Sequence, residues 1–174
     1  MKILNDKKRI SLIYTEGDIS LYIYYPTPFS PLYCHFEKMT LSRRVRLLIE
    51  YLSKGCYKVF YLVSGDELIG YCVVAPGNRR LKLSSEKDIV LGPYFIDPTF
   101  RGKGYAKTLI RLILKCGGLK YRYAYDYINK TNIPSIKATL ACGFNKCGEL
   151  DIVGFFHKLI ESQDGEYNIY RYIP

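Results

Sequence analysis

Residues 88–115 constrain the fold more than any other stretch of the chain. DIVLGPYFI, residues 88–96, is an apolar run of strand length, and DPTFRGKGYA leads from it straight into helical spacing. Ala106, Leu109, Ile110 and Ile113 form an apolar stripe, and Lys103, Lys107, Arg111 and Lys115 recur on another face. A strand that turns through glycines into an amphipathic helix implies an α/β unit, with the helix stripe buried against the sheet. Gly92-Pro93 interrupts the strand, and a proline there cannot donate to a neighbour, so the strand should bulge or splay at that point.

Elsewhere strand and helix signals alternate, with no repeats or linker. Arg9–Tyr14 and Ile19–Tyr25 read as strands, followed by YYPTPFSPLYCHF, whose prolines rule out regular structure. Thr40–Lys54 has helical spacing and ends at Gly55. Tyr57–Val63 and Leu68–Ala75 read as a hairpin turning through Ser64-Gly65-Asp66. Gly117-Gly118 closes the helix that follows the glycine loop. From Leu119 to Ile128, tyrosines at 121, 123, 125 and 127 alternate with Arg122, Ala124 and Asp126, as in a strand. Asn132 caps a second helix running to Cys142, with Ile136 and Leu140 expected inward and Gly143 as its stop. Phe144–Val153 and Tyr167–Ile173 complete the strands.

A length of 174 residues suits one domain, residues 1–174, and 48% apolar with 24% charged residues is ordinary globular usage. No apolar stretch reaches the roughly 20 residues of a membrane span, and the start MKILNDKKRISLIY lacks a signal-peptide core, so a cytoplasmic protein without a membrane partner is expected. Six cysteines, none in a C-x-x-C pair, are expected to be small, reduced core residues. With only His35 and His157 as histidines, no metal is expected. The net charge of +10 favours an anionic partner: nucleic acid, an acidic surface or a phosphorylated cofactor. The cations cluster at Arg43-Arg44-Arg46, at Arg79-Arg80 and from Arg101 to Lys107, and only the last group lies beside glycines.

A helix entrance of that kind presents unpaired backbone N–H groups and the positive end of the helix dipole, which together hold phosphate. Two familiar nucleotide loops do not fit. A P-loop needs Gly where Asp97 stands and Ser or Thr where Gly104 stands, and a dinucleotide fingerprint needs Gly where Lys107 stands. Tight strand-to-helix packing explains such a loop equally well.

Two motifs in order resemble the GNAT superfamily of N-acetyltransferases, which use acetyl-CoA. Phe95-Ile96-Asp97-Pro98 followed by Arg101-Gly102-Lys103-Gly104-Tyr105-Ala106 is similar to the family's R/Q-x-x-G-x-G/A signature. Asn132-Ile133-Pro134-Ser135-Ile136 with Gly143-Phe144 is similar to its downstream Asn-x-x-Ala/Ser-Ile and Gly-Phe pattern. The resemblance covers roughly residues 88 to 148. It implies a mixed α/β fold: a single domain with a central, mostly antiparallel sheet splayed after the fourth major strand, residues 88–96, and helices on both faces.

It also implies that the pyrophosphate of coenzyme A rests on the backbone from Arg101 to Ala106, with Lys103 and Tyr105 in the same loop. Pantetheine would lie along Phe95 and Ile96 and be reached by Asn132. A backbone N–H near Ile96 would serve the oxyanion. Where the family often carries a tyrosine acid on the second helix, this chain has Thr139. Tyr94, Tyr125 or Tyr170 could replace it, and Asp88, Asp126 and Glu166 are the carboxylates open to a base role. The catalytic set chosen is Tyr94, Asp126 and Thr139.

The acceptor is expected to be a small-molecule amine, on the aromatic segment containing Tyr25, Phe29, Tyr33, His35 and Phe36. A homodimer is allowed, and nucleic acid is not the expected partner. The rival reading is a non-catalytic anion- or RNA-binding module that stacks bases on the tyrosines at 121–127. A third is a relative of the fold that binds CoA as a regulatory ligand.

Overall fold

The structure is a computed structural model, and it describes residues 10–27, 57–77, 81, 84–154 and 158–174. The helix expected at Thr40–Lys54, the arginines at 43–46 and 79–80, Cys34, Cys56, His157 and the acceptor-loop residues Phe29, Tyr33, His35 and Phe36 lie outside the described residues. The chain divides into two compact units, Met1–Val74 with Pro93–Leu119 and Ala75–Gly92 with Lys120–Pro174.

In the first unit β1 (Ile10–Glu16), β2 (Ile19–Tyr24), β3 (Lys58–Ser64) and most of β4 (Glu67–Pro76) pair antiparallel in chain order. The links β1–β2 and β3–β4 are two-residue turns, Gly17-Asp18 and Gly65-Asp66, so each hairpin closes locally. The second half of β5 (Ile89–Ile96) belongs here, and the N–H of Asp97 donates to the carbonyl of Ile69 on β4 at 2.9 Å. A single 3₁₀ turn, Pro98–Phe100, leads through the glycine loop into α1 (Tyr105–Cys116). The expected stripe is the buried one: Leu109, Ile110 and Ile113 are inaccessible, and α1 lies against β1 and β3. Burying such a side chain contributes about 2 kcal/mol, which holds the helix, and therefore the loop before it, in place.

The second unit contains the first half of β5, with β6 (Ala124–Asn129), α2 (Ile133–Leu140), β7 (Asn145–Val153), β8 (Lys158–Glu161) and β9 (Tyr167–Tyr172). β5 and β6 pair in parallel at only three rungs, the last being Leu91↔Asp126, although both strands continue. The ladder stops at Gly92-Pro93, where the sequence predicts the splay. Gly92 has φ +105°, which side chains rarely adopt, and Pro93 brings no donor. β6 pairs antiparallel with β9, β9 with β7, and β7 with β8. The fold is thus mixed α/β, with antiparallel pairs predominating.

The tyrosines of residues 121–127 do not form one exposed row. Tyr125 is buried in a core cluster with Leu81, Val90, Leu150, Leu159 and Ile169, and Tyr123 and Tyr127 pack against that cluster. Arg122 and Arg171 cover the ring of Tyr123 at 4.5 and 5.2 Å. The strand begins at Ala124, five residues after the expected start.

The same unit corrects three further expectations. Leu140 is 48% exposed, whereas Thr139 is fully buried: Asp126 lies beneath this turn of α2, and the inward position goes to a hydroxyl that can bond it. Cys147 is exposed, and burial of its neighbourhood pushes its thiol up; among the described cysteines Cys72 and Cys142 are buried and Cys116 is half-buried. β8 is a strand that the sequence reading leaves blank, a four-residue edge element whose ladder depends on β7 rather than on local pattern.

Asp88 ties the start of β5 to the approach of β6. Its carboxylate accepts from Arg122 Nε and Nη2 at 3.1 and 3.0 Å, from Ser85 N–H at 2.6 Å and from Tyr123 N–H at 3.2 Å. Burial alone would raise this carboxyl, but the hydrogen bonds from Arg122 and Ser85 outweigh it and hold it below the usual range. A lowered carboxyl stabilises the fold above its unfolded-state pKa, and that contribution is lost as pH falls through the folded value. Asp88→Asn should therefore cost about 2 kcal/mol at pH 7 by urea unfolding, with the difference shrinking in acid. An unchanged midpoint would mean that the cluster does not hold the strands.

Candidate functional site

The residues singled out in the sequence fall into two groups, one in each unit. In the first unit β5 ends at Ile96, and Asp97 caps the following turn, its Oδ1 accepting from Thr99 N–H at 2.9 Å and Thr99 Oγ1 at 2.6 Å. Those bonds hold the Asp97 carboxyl below the usual range. Arg101 bends back, Nε donating to the Ile96 carbonyl at 3.0 Å with the guanidinium 5.4 Å from the Phe95 ring centre. Phe95 in turn stacks on Tyr71, centres 6.0 Å apart. Lys103 lies over Phe100, which meets Tyr105 edge-on. The loop is thus braced by its own cations and aromatics, a pattern that composition alone does not reveal.

Gly102 and Gly104 have φ +78° and +81°, and a Cβ at either would meet no atom of the described residues within 4 Å. Gly104 is the N-cap of α1, and among the described residues no side chain caps this helix start. The first N–H groups of a helix have no intrahelical partners, and the dipole adds partial positive charge there. The open backbone, the uncapped N–H groups and the basic neighbours fit a phosphate. On β5, the Asp97 N–H points toward β4. Alternation along a strand sends the neighbouring N–H of Ile96 to the other side.

In the second unit Asp126 and Thr139 meet. Thr139 Oγ1 donates to Asp126 Oδ2 at 2.8 Å, and both residues are buried. Burial raises the Asp126 carboxyl to about 7, against the Thr139 hydroxyl and the Tyr127 N–H, which pull it down. A carboxyl poised there can take or give a proton near neutral pH. A Cβ at Gly92 would stand 3.7 Å from Asp126 Oδ1, in ordinary van der Waals contact with it. Asn132 caps α2, its Oδ1 accepting from Ser135 N–H at 3.3 Å.

Of the other sequence candidates, Tyr94 belongs to the first unit, and the Asp88 carboxylate is taken up by Arg122. Glu166 is exposed, and its backbone N–H bonds Asp151. Among the described residues no three His, Cys, Asp or Glu side chains are grouped as a metal site would require, and no helix is long and apolar enough to cross a membrane. Asp126 and Thr139 both belong to the set chosen from the sequence, but the hydrogen bond between them joins a strand to a helix and was not foreseen. The signal available was parity, which sets Asp126 on the face opposite the tyrosines.

A family model described as the acetyltransferase (GNAT) family matches residues 22–144. Solved structures of similar fold include the microcin C7 self-immunity acetyltransferase MccE in complex with acetyl-CoA and AMP. It is 16% identical with TM-score 0.56, over 91% of this chain and 94% of that one. An acetyltransferase (GNAT family) from Bacillus anthracis is 16% identical with TM-score 0.60, over 94% and 98%. The ribosomal-protein-S5-alanine acetyltransferase from Vibrio fischeri is 16% identical with TM-score 0.56, over 94% and 96%. At these identities the likeness is one of fold. No curated protein sequence matches the chain.

Proposed function

The chain belongs to the acetyltransferase (GNAT) family, and on that premise we propose that residues 1–174 act as one domain that transfers the acetyl group of acetyl-CoA to a primary amine. The observation that carries the reading is the uncapped, glycine-opened start of α1 at Gly104, directly after a strand. The backbone from Arg101 to Ala106 receives the pyrophosphate, Phe95 and Ile96 accompany the pantetheine arm, and Asn132 reaches it from the start of α2. Acetyl-CoA supplies an activated acyl group on a thiol that leaves readily.

The N–H of Ile96 stabilises negative charge on the acetyl oxygen. Asp126 takes the proton of the attacking amine, and Thr139 holds its carboxylate rather than acting as an acid, since a hydroxyl of that kind is a poor proton donor. Every residue given a role lies on one chain. The acceptor is a small amine, and the site of action is the cytoplasm.

Calorimetric titration tests the first step. Acetyl-CoA should bind at one site per chain, and no binding would overturn the reading. If the backbone holds the phosphates, Lys103→Gln should weaken binding only several-fold, more at 0.01 M salt than at 0.1 M, because the Debye length falls from about 30 to about 10 Å. Arg101→Gln should lose more than Lys103→Gln, because Arg101 also ties the loop to Ile96 and Phe95. Complete loss with Lys103→Gln at both salts would instead mark a side-chain anion clamp.

A further inference from the structure

β4 meets the end of β5 at a bulge. Leu62 of β3 pairs with Gly70, and the next residue, Val63, pairs with Leu68, so Ile69 is one residue more than the ladder needs. The Ile69 carbonyl takes the Asp97 N–H at 2.9 Å, and two residues on the Tyr71 ring stacks on Phe95. Between these contacts stands Gly70, which is buried. Its φ lies outside the left-handed region, so the backbone does not call for glycine there, but the space does. A Cβ on Gly70 would collide with the Phe95 carbonyl oxygen and stand 2.7 Å from Ile96 Cδ1 and 3.2 Å from Ile96 Cα. The Ile96 methyl can turn aside, whereas the carbonyl moves only with its peptide. That peptide joins Phe95 to Ile96. A peptide is a rigid plane, trans before any residue but proline, with its C=O and N–H pointing in opposite directions. The oxygen against Gly70 and the N–H of Ile96 are therefore two ends of one plane. Its surroundings are fixed as well, because Arg101 Nε holds the Ile96 carbonyl at 3.0 Å and Ile69 holds the Asp97 N–H.

We propose that Gly70 is a positioning residue of the transfer: carrying no side chain, it lets the Phe95–Ile96 peptide lie close on β4 and so fixes where the Ile96 N–H meets the acetyl oxygen. The inference rests on the transferase reading above, and all of its residues lie in the first unit. A methyl at position 70 leaves the donor chemically intact and displaces it. A group misplaced by about 1 Å loses much of its effect on a transition state, and a donor acts on an oxyanion only where the charge develops. The glycine loop that receives the phosphates does not touch Gly70, so the change falls on acyl transfer rather than on coenzyme binding.

The test is steady-state thiol release from acetyl-CoA by the full chain, with the best acceptor among glucosamine, tyramine, spermidine and an alanyl peptide, beside calorimetric titration of CoA. Gly70→Ala should lower kcat roughly 10- to 100-fold and leave the affinity for CoA within about threefold. Ile96→Val removes Cδ1 and keeps the N–H, so Gly70→Ala should cost the same factor in that background as in the unaltered protein. Disappearance of the loss in the Ile96→Val background would show that only a side chain had been displaced, and would overturn the proposal. A loss of CoA affinity as large as the loss of kcat would place Gly70 in coenzyme binding, and would overturn it too. A merely structural role lowers the urea midpoint and leaves kcat per folded molecule unchanged, and that result overturns the proposal alone. If Gly70→Ala fails to fold, the double variant decides against Ile96→Val: a lower kcat at similar CoA affinity supports the proposal, and equal kcat overturns it. If neither variant folds, Gly70 serves the fold and not the transfer, and the proposal falls. No thiol release by the unaltered protein overturns the transferase reading and the proposal together.

Discussion

Asp126→Asn should lose about 100- to 10,000-fold in turnover at neutral pH, the range general-base removal gives, and should become more stable at pH 8 than the unaltered protein. Both effects come from one geometric fact. The carboxyl is buried and raised from 3.8 to about 7. Between those values the folded chain keeps a proton that the unfolded chain has lost, so stability falls as pH rises through the window and the cost is complete above about 7. Roughly three units correspond to about 4 kcal/mol at most. An asparagine can still accept from Thr139 and carries no charge to desolvate, so it should recover much of that energy and flatten the pH dependence. Urea unfolding from pH 4 to pH 8, beside turnover at pH 7, checks both. A variant with full turnover, or with the unaltered protein's pH dependence, would remove Asp126 from the mechanism.

Gly104→Val is expected to lower affinity for acetyl-CoA by about tenfold or more and to cost about 1–3 kcal/mol of stability. The stability cost follows from φ +81°, a conformation that β-branched residues resist. The affinity loss has a separate cause: the new side chain fills the open space before the uncapped N–H groups of α1. Gly17→Val separates the two effects. Gly17 also has a positive φ, +55°, with open space around it, but sits in the β1–β2 turn. It should lose stability and bind acetyl-CoA normally. Equal binding by both variants would show that the loop does not hold the phosphates.

The glycine loop was legible in the sequence because its determinants are local: an apolar strand, two glycines and a 3.6-residue stripe lie within 30 residues. The stop in the β5–β6 ladder was legible for a similar reason, since Gly92-Pro93 is a local break. What the sequence hid depends on register. Asp126 was chosen over Asp88 from the sequence, but the reason the two carboxyls differ, Thr139 facing one and Arg122 the other, was not visible there. That Tyr170 shares a rung with Asp126 follows from a pairing 44 residues apart. Leu140 was expected inward because it is apolar, but the helix turns Thr139 toward a buried carboxyl, and the two positions differ by 100° around the axis. The bond from Arg101 to Ile96 depends on how the turn at Pro98–Phe100 brings the chain back, which no local pattern shows.

The central claim is that this chain moves an acetyl group, and the most direct measurement follows both products of one reaction. Acetyl-CoA and each amine of the panel are incubated with the protein, free thiol is titrated, and the amine is weighed by mass spectrometry. The account predicts that thiol release depends on an amine, matches one added acetyl group per thiol, and falls away in Asp126→Asn. Acetyl-CoA bound without release of thiol in the presence of any amine would contradict it, leaving a fold that binds the coenzyme without using it.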